Sequence, residues 1–344
     1  MDATVLQDTW FGLLLLFLIA YSVFDGFDLG VGMLTLFTKS VKKGAMLFSS
    51  LAPFWDGNEL WLVIAGASLF AVFPKAYATA FSGLYVPVFL VALSLMLRAA
   101  AFECRHLCRR TGAKRSWERV FAAASFLIPF LLAVALGNSI LGLPLSKEGN
   151  YSGGLLLLFR PYPLALAVCG IAMVLLQGAL FAAGKLPLPF SDELRTSANR
   201  LWYFAAVAFG ALAVVMLLQV PAARTRPLFW FAGLAAAALL VATRLIARPA
   251  KEHVAFLAAS GVIVAIWLMQ AAGLFPALIR DSIDASNSIT IFNGSSGITT
   301  LRVLARVAVP SAILYLALNW YLYATFRGKL APDKDLYGDD QTGQ

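Results

Sequence analysis

Histidine and cysteine are scarce in this sequence, with two histidines and three cysteines among 344 residues. His106 and His253 lie in or beside loops between long apolar segments, whereas a haem inside a membrane bundle needs buried axial ligands, usually histidine or methionine. Methionines within the apolar segments are interpreted as core filler, the usual role of this flexible side chain. Cys104 and Cys108 lack metal-ligand spacing. We therefore predict no metal site, no cofactor-binding residue and no catalytic residue in this chain.

Charged residues are also few: they make up 13% of the chain, whereas 60% is hydrophobic and the mean hydropathy is +0.80. A soluble domain is about half apolar and about a quarter charged, so the composition indicates a polytopic membrane protein. The net charge of +9 predicts no nucleic-acid partner, because a basic excess in such proteins usually lies in cytoplasmic loops. Neither a Walker A motif nor a credible catalytic triad occurs. The chain therefore either moves something or serves a partner that holds the cofactors.

Nine apolar stretches are long enough to cross a bilayer, which takes about 20 residues per helix. We predict an all-α fold with spans at 10–37, 51–73, 77–101, 117–143, 162–183, 201–220, 228–246, 254–275 and 304–326. One set of connecting loops, together with the C-terminal tail, carries 18 lysines and arginines, and the opposite set carries 8. By the positive-inside rule, the N-terminus is outside and the C-terminus is inside.

Two acidic pairs stand inside the predicted spans. Asp25 and Asp28 are three residues apart in the first span, and Asp56 and Glu59 have the same spacing in the second, so each pair shares a helix face. A carboxylate costs several kcal/mol at membrane depth. The predicted orientation gathers all four toward the cytoplasm. We therefore predict a proton or ion pathway there.

A second interpretation is that the acids only fix helix packing. Asp28 or Asp56 would then be bonded to Asn58, to Trp55 or to a backbone group. The cost of membrane carboxylates favours the pathway, and both interpretations stay open at this stage.

Other residues near these acids suggest structural roles. Gly26 and Gly30 form a small-xxx-small pair that lets another helix approach closely. Arg98 and Glu103 lie near the cytoplasmic end of the third span, and their spacing of five does not place them on one face. We expect them to pair with other helices or to lie at the interface.

Two connections on the predicted outer side are longer than the rest. Residues 142–160 are rich in glycine, and residues 280–300 are rich in serine, threonine, asparagine and aspartate. The second is uncommon as a simple connector. It either folds over the outer surface, holds a partner subunit or is a solvated loop. Residues 328–344 form a polar tail, predicted to be cytoplasmic and disordered.

Six runs of sequence, spread from the first span to the last, resemble subunit II of cytochrome bd ubiquinol oxidases: FDGFDLGVGML, APFWDGNELWL, FSGLYVPV, LRAAAFECR, SNSITIFNGSSGITTLRV and YATFRGK. The resemblance implies a subunit of a bacterial terminal oxidase that takes electrons from quinol and reduces dioxygen to water. It also implies nine helices arranged as two four-helix bundles plus one peripheral helix. The corresponding domains are residues 1–143, 144–327 and the tail 328–344.

The resemblance implies partners as well. A haem-carrying subunit I would hold two haem b groups, one haem d and the site of quinol oxidation, and this subunit would hold no haem. A small single-helix subunit often joins the two, and a structural quinone has been placed in this subunit in some members. The complex would lie among lipids of the bacterial cytoplasmic membrane as a multi-pass assembly.

Site residues are implied by matching the motifs position by position. Asp28 and Asp56 match aspartates that line a proton path from the cytoplasm. Trp61 matches a tryptophan near an apolar dioxygen route. Asp25 is assigned a structural role before a role in proton transfer. At the position of Glu59, some members of the family have glutamine. Protons would thus be consumed from the cytoplasm and released outside from quinol, contributing to the proton motive force without a pump.

Two other classes of protein remain possible from the residues alone. A secondary transporter would bind substrate at midmembrane polar groups between related halves. The second half, however, shows no interruption equivalent to the glycines of the first span. A purely structural membrane partner would use its acids only for packing.

Overall fold

Twelve α-helices make up most of the computed structural model, which describes residues 2–146 and 151–330. In chain order they are α1 Ala3–Leu34, α2 Val41–Leu51, α3 Trp55–Val72, α4 Pro74–Gly83, α5 Tyr85–Leu107, α6 Thr111–Leu141, α7 Pro161–Lys185, α8 Phe190–Gln219, α9 Pro221–Arg224, α10 Pro227–Ile246, α11 Glu252–Leu274 and α12 Ile298–Thr325. Short 3-10 helices cover Thr35–Phe37, Leu155–Leu158 and Ala285–Asn287. The prediction of an all-α membrane protein is confirmed.

Eight of the described helices are long and apolar enough to cross a membrane: α1 with its extension to Phe37, α5, α6, α7, α8, α10, α11 and α12. The predicted span 51–73 corresponds to α3, which meets the same standard only together with α4, across a bend of 117°. Pro74 begins α4, because proline suits the first turn of a helix but supplies no N–H for the preceding one.

The predicted boundaries differ from the structure around residues 39–84. Residues 41–51, read as loop and span start, form the amphipathic helix α2, in which the Ser40 hydroxyl accepts a hydrogen bond from the Lys43 backbone N–H. Leu47 and Phe48 lie on its apolar face and are buried. The predicted third span, 77–101, starts within α4 and crosses into α5. In the sequence, a short amphipathic helix with few apolar residues gives a weaker hydrophobic pattern than a membrane span does.

Helix α1 is central to the packing. It contacts α3, α6, α7 and α11 along its length, and also α12. The other main contacts join α5 with α6, α7 with α8, and α10 with α11. Helix α12 packs on α1 and α3 and leaves most of its surface exposed. The acidic helices α1 and α3 are therefore direct neighbours.

The loop between α11 and α12 is folded and covers the end of the bundle where α1 begins. Strands β1 (Ala277–Ile279) and β2 (Ile289–Thr290) pair antiparallel within it. The Ser296 N–H donates to Val72 O at 2.8 Å, and the Gln7 side-chain amide donates to Ser295 Oγ at 2.8 Å. The structure thus shows residues 280–300 folded over this end of the chain, and a role of this loop in holding a partner subunit stays a prediction.

Candidate functional site

A buried ion pair joins α5 to α1. The Arg98 guanidinium donates to both carboxylate oxygens of Asp25, at 2.7 and 2.5 Å, and neither side chain is exposed. Glu59 on α3 lies 3.7 Å from the same guanidinium. A buried charge is tolerated when it is paired and hydrogen-bonded, and Arg98 supplies the positive charge for this group of acids.

Asp28 lies one turn further along α1 and is fully buried. Its Oδ2 accepts a hydrogen bond of 2.7 Å from Asn58 Nδ2 on α3. Its Oδ1 has no hydrogen-bond partner among the described residues. The Asn58 Oδ1 in turn accepts a bond of 3.1 Å from the Tyr323 hydroxyl on α12. Asp28 is therefore an acid without a directly bonded cation, held by a neutral amide.

Asp56 stands apart from this cluster. It occupies the first turn of α3 and is exposed. Its neighbour Gly57 accepts a hydrogen bond through its carbonyl from the Tyr315 hydroxyl of α12. The structure therefore brings together Asp25, Asp28, Glu59, Asn58 and Arg98, and leaves Asp56 at the surface of this chain.

The glycines of α1 permit a close approach of α7, as their spacing predicts. A Cβ on Gly26 would lie 2.9 Å from Gln177 Oε1, and a Cβ on Gly178 would lie 2.6 Å from the Gly30 carbonyl carbon. Backbone atoms cannot move aside as a side chain can. The two helices therefore cross where both carry glycine.

Trp61 and Glu103 occupy contrasting places. Trp61 is buried at 1% exposure, with its ring near Phe24 at 6.1 Å and Tyr315 at 5.0 Å between centroids. Its surroundings are thus aromatic and apolar. Glu103 is exposed near the end of α5, outside the acid cluster, whereas Arg98 pairs with another helix as expected.

Sequence reasoning missed a second buried ionic group. The Arg105 guanidinium donates twice to Glu118 Oε1, at 3.0 and 2.9 Å, and Arg115 donates to Glu118 Oε2 at 3.0 Å and to Thr38 O at 2.7 Å. Both arginines belong to the basic residues predicted to lie in connecting loops, whereas the structure places them in α5 and α6. The spacing of three between Arg115 and Glu118 was an available signal for their pairing. This network ties α5 and α6 to the chain that follows α1.

The described residues contain no group of three or more histidine, cysteine or acidic side chains that could hold a metal ion. His106 and His253 are both exposed, near the end of α5 and the start of α11. Neither position fits an axial ligand buried inside the bundle.

Long apolar helices around buried, paired acids define a polytopic membrane protein with an ionisable centre, and such groups mark functional sites in membranes. The family model described as cytochrome bd terminal oxidase subunit II matches residues 6–326. The chain belongs to that family, and the resemblance noted from its motifs is confirmed.

Curated relatives and a solved structure extend over nearly the whole chain. Cytochrome bd-I ubiquinol oxidase subunit 2 of Escherichia coli K12 is 29% identical over 363 residues, covering 94% of this chain and 95% of the relative. Cytochrome bd ubiquinol oxidase subunit 2 of Bacillus subtilis is 26% identical, covering 95% and 97%. A chain of the bd oxidase from Geobacillus thermodenitrificans superposes with a TM-score of 0.76 at 18% identity, covering 94% and 98%, which shows the shared fold.

Proposed function

We propose that this chain is the haem-free subunit II of a quinol terminal oxidase of the bacterial cytoplasmic membrane. It pairs with a haem-carrying subunit I, and the complex reduces dioxygen to water with electrons from quinol. The observation that carries this proposal is the match of the subunit II family model across residues 6–326. Relatives named as subunits of ubiquinol oxidase, covered along 95% or more of their length, support it.

The haems are assigned to the partner. Two haem b groups and one haem d there would supply electron transfer and dioxygen binding. The exposed positions of His106 and His253 fit that division, because they offer no buried axial pair. A structural quinone and a small single-helix subunit remain further predictions from the resemblance.

The proposed topology has nine spans, with the N-terminus outside and the C-terminus inside. Helix α3, the second span in chain order, is counted in addition to the eight helices above and is supported by its packing against α1 and α12. Helices α1, α3, α5 and α6 form the first bundle (1–143), and α7, α8, α10 and α11 form the second (144–327), with α12 peripheral. The tail 328–344 is assigned to the cytoplasm, and its residues 331–344 lie outside the described part of the chain.

Protons for water formation are proposed to pass from the cytoplasm by way of Asp56 and Asp28. Asp56 is exposed in the first turn of α3, where a second large subunit can cover it, and Asp28 is fully buried on the neighbouring helix α1. Asp28 suits proton exchange because one carboxylate oxygen is unbonded and the other is held by an amide. Asp25 suits a structural role because it is committed to Arg98.

Two further parts of the chain have proposed roles in the complex. Glu59 lies 3.7 Å from the Arg98 guanidinium and one helical turn after Asp56, and it is a secondary candidate for proton transfer. The aromatic surroundings of Trp61 suit passage of an apolar gas toward the partner. Quinol oxidation on the opposite side of the membrane would release protons there, so the reaction contributes to the proton motive force without a pump.

Affinity purification of the tagged chain from native membranes in mild detergent tests the proposal. The eluate should contain a second large subunit and show haem b and haem d bands in its reduced-minus-oxidised spectrum. A colourless protein eluting alone would contradict the proposal if deletion of the gene also left quinol-dependent oxygen uptake of the membranes unchanged.

A further inference from the structure

We propose that Tyr323 is a positioning residue that sets the proton affinity of Asp28 by fixing the orientation of the Asn58 amide. This inference rests on the proposed function, in which Asp28 carries protons. Tyr323 belongs to α12, the last helix of the chain, and its hydroxyl donates to Asn58 Oδ1 at 3.1 Å. The opposite end of the same amide donates from Nδ2 to Asp28 at 2.7 Å.

The Tyr323 ring is held firmly enough to aim its hydroxyl. It stacks on Phe54 with ring centroids 4.6 Å apart and planes inclined by 14°. Phe24 and Phe27 lie on other sides of it, at centroid distances of 5.9 and 6.3 Å. Substitution by phenylalanine would keep these ring contacts and remove only the hydroxyl.

The orientation of an asparagine amide decides which form of a neighbouring acid it stabilises. An amide presents an acceptor at one end and donors at the other. With Oδ1 of Asn58 bonded to Tyr323, Nδ2 faces Asp28 and favours the ionised carboxylate, because a donated hydrogen bond stabilises the charged form. A turned amide would offer Oδ1 to Asp28 and favour the protonated acid. In the turned state the Tyr323 hydroxyl could only accept from the amide, and its own proton would lose the acceptor that the structure gives it, Asn58 Oδ1. Because a buried donor without a partner is costly, Tyr323 favours the orientation in which Nδ2 faces Asp28.

Other charged groups near Asp28 do not substitute for this contact. Asp25, Glu59 and Arg98 act on it through their charges from α1, α3 and α5. The Arg98 guanidinium is already bonded twice to Asp25. The Asn58 amide is the hydrogen-bond donor that the structure gives to the Asp28 carboxylate, so its orientation has a direct effect.

The test compares Tyr323→Phe with Tyr321→Phe in the purified, haem-loaded oxidase complex. Tyr321 is a matched control, since it lies two residues away on α12 and is 66% exposed. Quinol-driven oxygen uptake is measured across a pH series. The alkaline limb of the pH–rate profile is the range in which a proton-delivering acid is no longer reprotonated. In Tyr323→Phe this limb should move to higher pH by about one unit, the size expected for one hydrogen bond. The control profile should match the wild type.

The Asn58→Ala variant provides a second arm. It should displace the limb in its own right, and adding Tyr323→Phe should then produce no further displacement, because the intermediary is gone. A Tyr323→Phe profile that overlays the wild-type profile would overturn the inference. So would a Tyr323→Phe substitution that displaces the alkaline limb by the same amount in the wild type and in Asn58→Ala. If Tyr323→Phe fails to assemble, an unchanged Asn58→Ala profile overturns it.

The outcome for Asp28→Asn separates this inference from the proposed function. Full turnover of an assembled Asp28→Asn complex would remove the proton role of Asp28 and contradict both. Impaired Asp28→Asn turnover together with an unchanged Tyr323→Phe profile would contradict the inference alone. An infrared difference band that is lost in Asp28→Asn identifies the protonated acid, and its displacement in Tyr323→Phe should accompany the displaced limb.

Discussion

Arg98 and Asp25 form a two-pronged ion pair between α5 and α1, with N–O distances of 2.7 and 2.5 Å and no exposed surface on either side chain. Such a pair does not itself add much stability over an apolar equivalent, because both ions lose their hydration. Removal of one partner is different, since the other charge is left buried without compensation. The pair therefore fixes the distance between α5 and α1, the helix that carries Asp28.

Breaking this pair should prevent normal assembly. Arg98→Gln is expected to cost about 3–5 kcal/mol and to reduce the yield of haem-loaded complex. Arg98→Lys should be milder, because lysine keeps the charge but lacks the planar fork that meets both oxygens. Haem content and thermal midpoint of the purified complex measure both effects.

Two controls test the cause of that loss. Lys75→Gln removes an exposed positive charge and should leave assembly unchanged. Arg98→Met combined with Asp25→Leu should recover part of the stability, because the Asp25 carboxylate is no longer left buried without its partner. A stable Arg98→Gln complex with full haem content would contradict a structural role for the pair.

Replacement of the proposed proton carriers should lower turnover without loss of haem. Asp28→Asn keeps the size of the side chain but cannot exchange a proton, and Asp56→Asn does the same at an exposed position. Each should slow oxygen reduction roughly tenfold or more, since a positioned acid or base typically contributes at least that much. Oxygen uptake normalised to haem content measures the effect.

The two possible roles of Asp28 give different results in that experiment. Haem loss on Asp28→Asn, with turnover per haem preserved, would support the interpretation in which Asp28 only clamps α1 to α3. Full turnover of both variants with normal assembly would remove the proton role. Asp56→Asn should assemble normally in either case, because Asp56 is exposed in this chain.

The sequence identified the acids and the spans for a simple physical reason. Long apolar runs and the cost of a membrane carboxylate are both visible residue by residue. The partners of the acids depend on how each helix is rotated about its axis, which apolar composition around the whole helix does not specify. The pairing of Arg98 with Asp25 and the contact of Tyr323 with Asn58 join residues 73 and 265 positions apart. Only the folded arrangement reveals them.

Because α1 and α7 cross at Gly178, we expect the stability of the complex to depend strongly on side-chain size at this position. A Cβ there would lie 2.6 Å from both the Gly30 carbonyl carbon and the Val31 nitrogen, so Gly178→Ala must push the helices apart. The expected loss is about 1–3 kcal/mol, the usual range for overpacking. The thermal midpoint of the purified complex measures it.

Gly170 on the same helix provides the matched control. A Cβ added there would meet no atom within 4 Å. Gly170→Ala should therefore be neutral or slightly stabilising, because alanine is the better helix former. Equal effects of the two substitutions would show that helix propensity, rather than close packing, explains the glycines.

The folded loop between α11 and α12 depends on Asp281 more than on Asp284. The Asp281 Oδ1 accepts the backbone N–H groups of Ile283 at 2.8 Å and Leu145 at 3.3 Å, which links two loops. Among the described residues, the Asp284 Oδ1 accepts only from Ser286, through its N–H at 2.9 Å and its hydroxyl at 2.8 Å. Asp281→Ala should therefore speed amide exchange in both loops, whereas Asp284→Ala should speed it near Ser286 alone.

Acidity should affect the Asp284 contact in a defined direction. The two hydrogen bonds from Ser286 hold the pKa of the Asp284 carboxyl below its usual range, because they favour the ionised form. The local contact is thus complete above the pKa of the unfolded chain and is lost as the pH falls through the lowered pKa of the folded chain. Amide hydrogen exchange of the two variants is measured by mass spectrometry on the purified complex at neutral pH. At that pH the wild-type contact is intact. Unchanged exchange at Leu145 in Asp281→Ala would contradict the link between the loops.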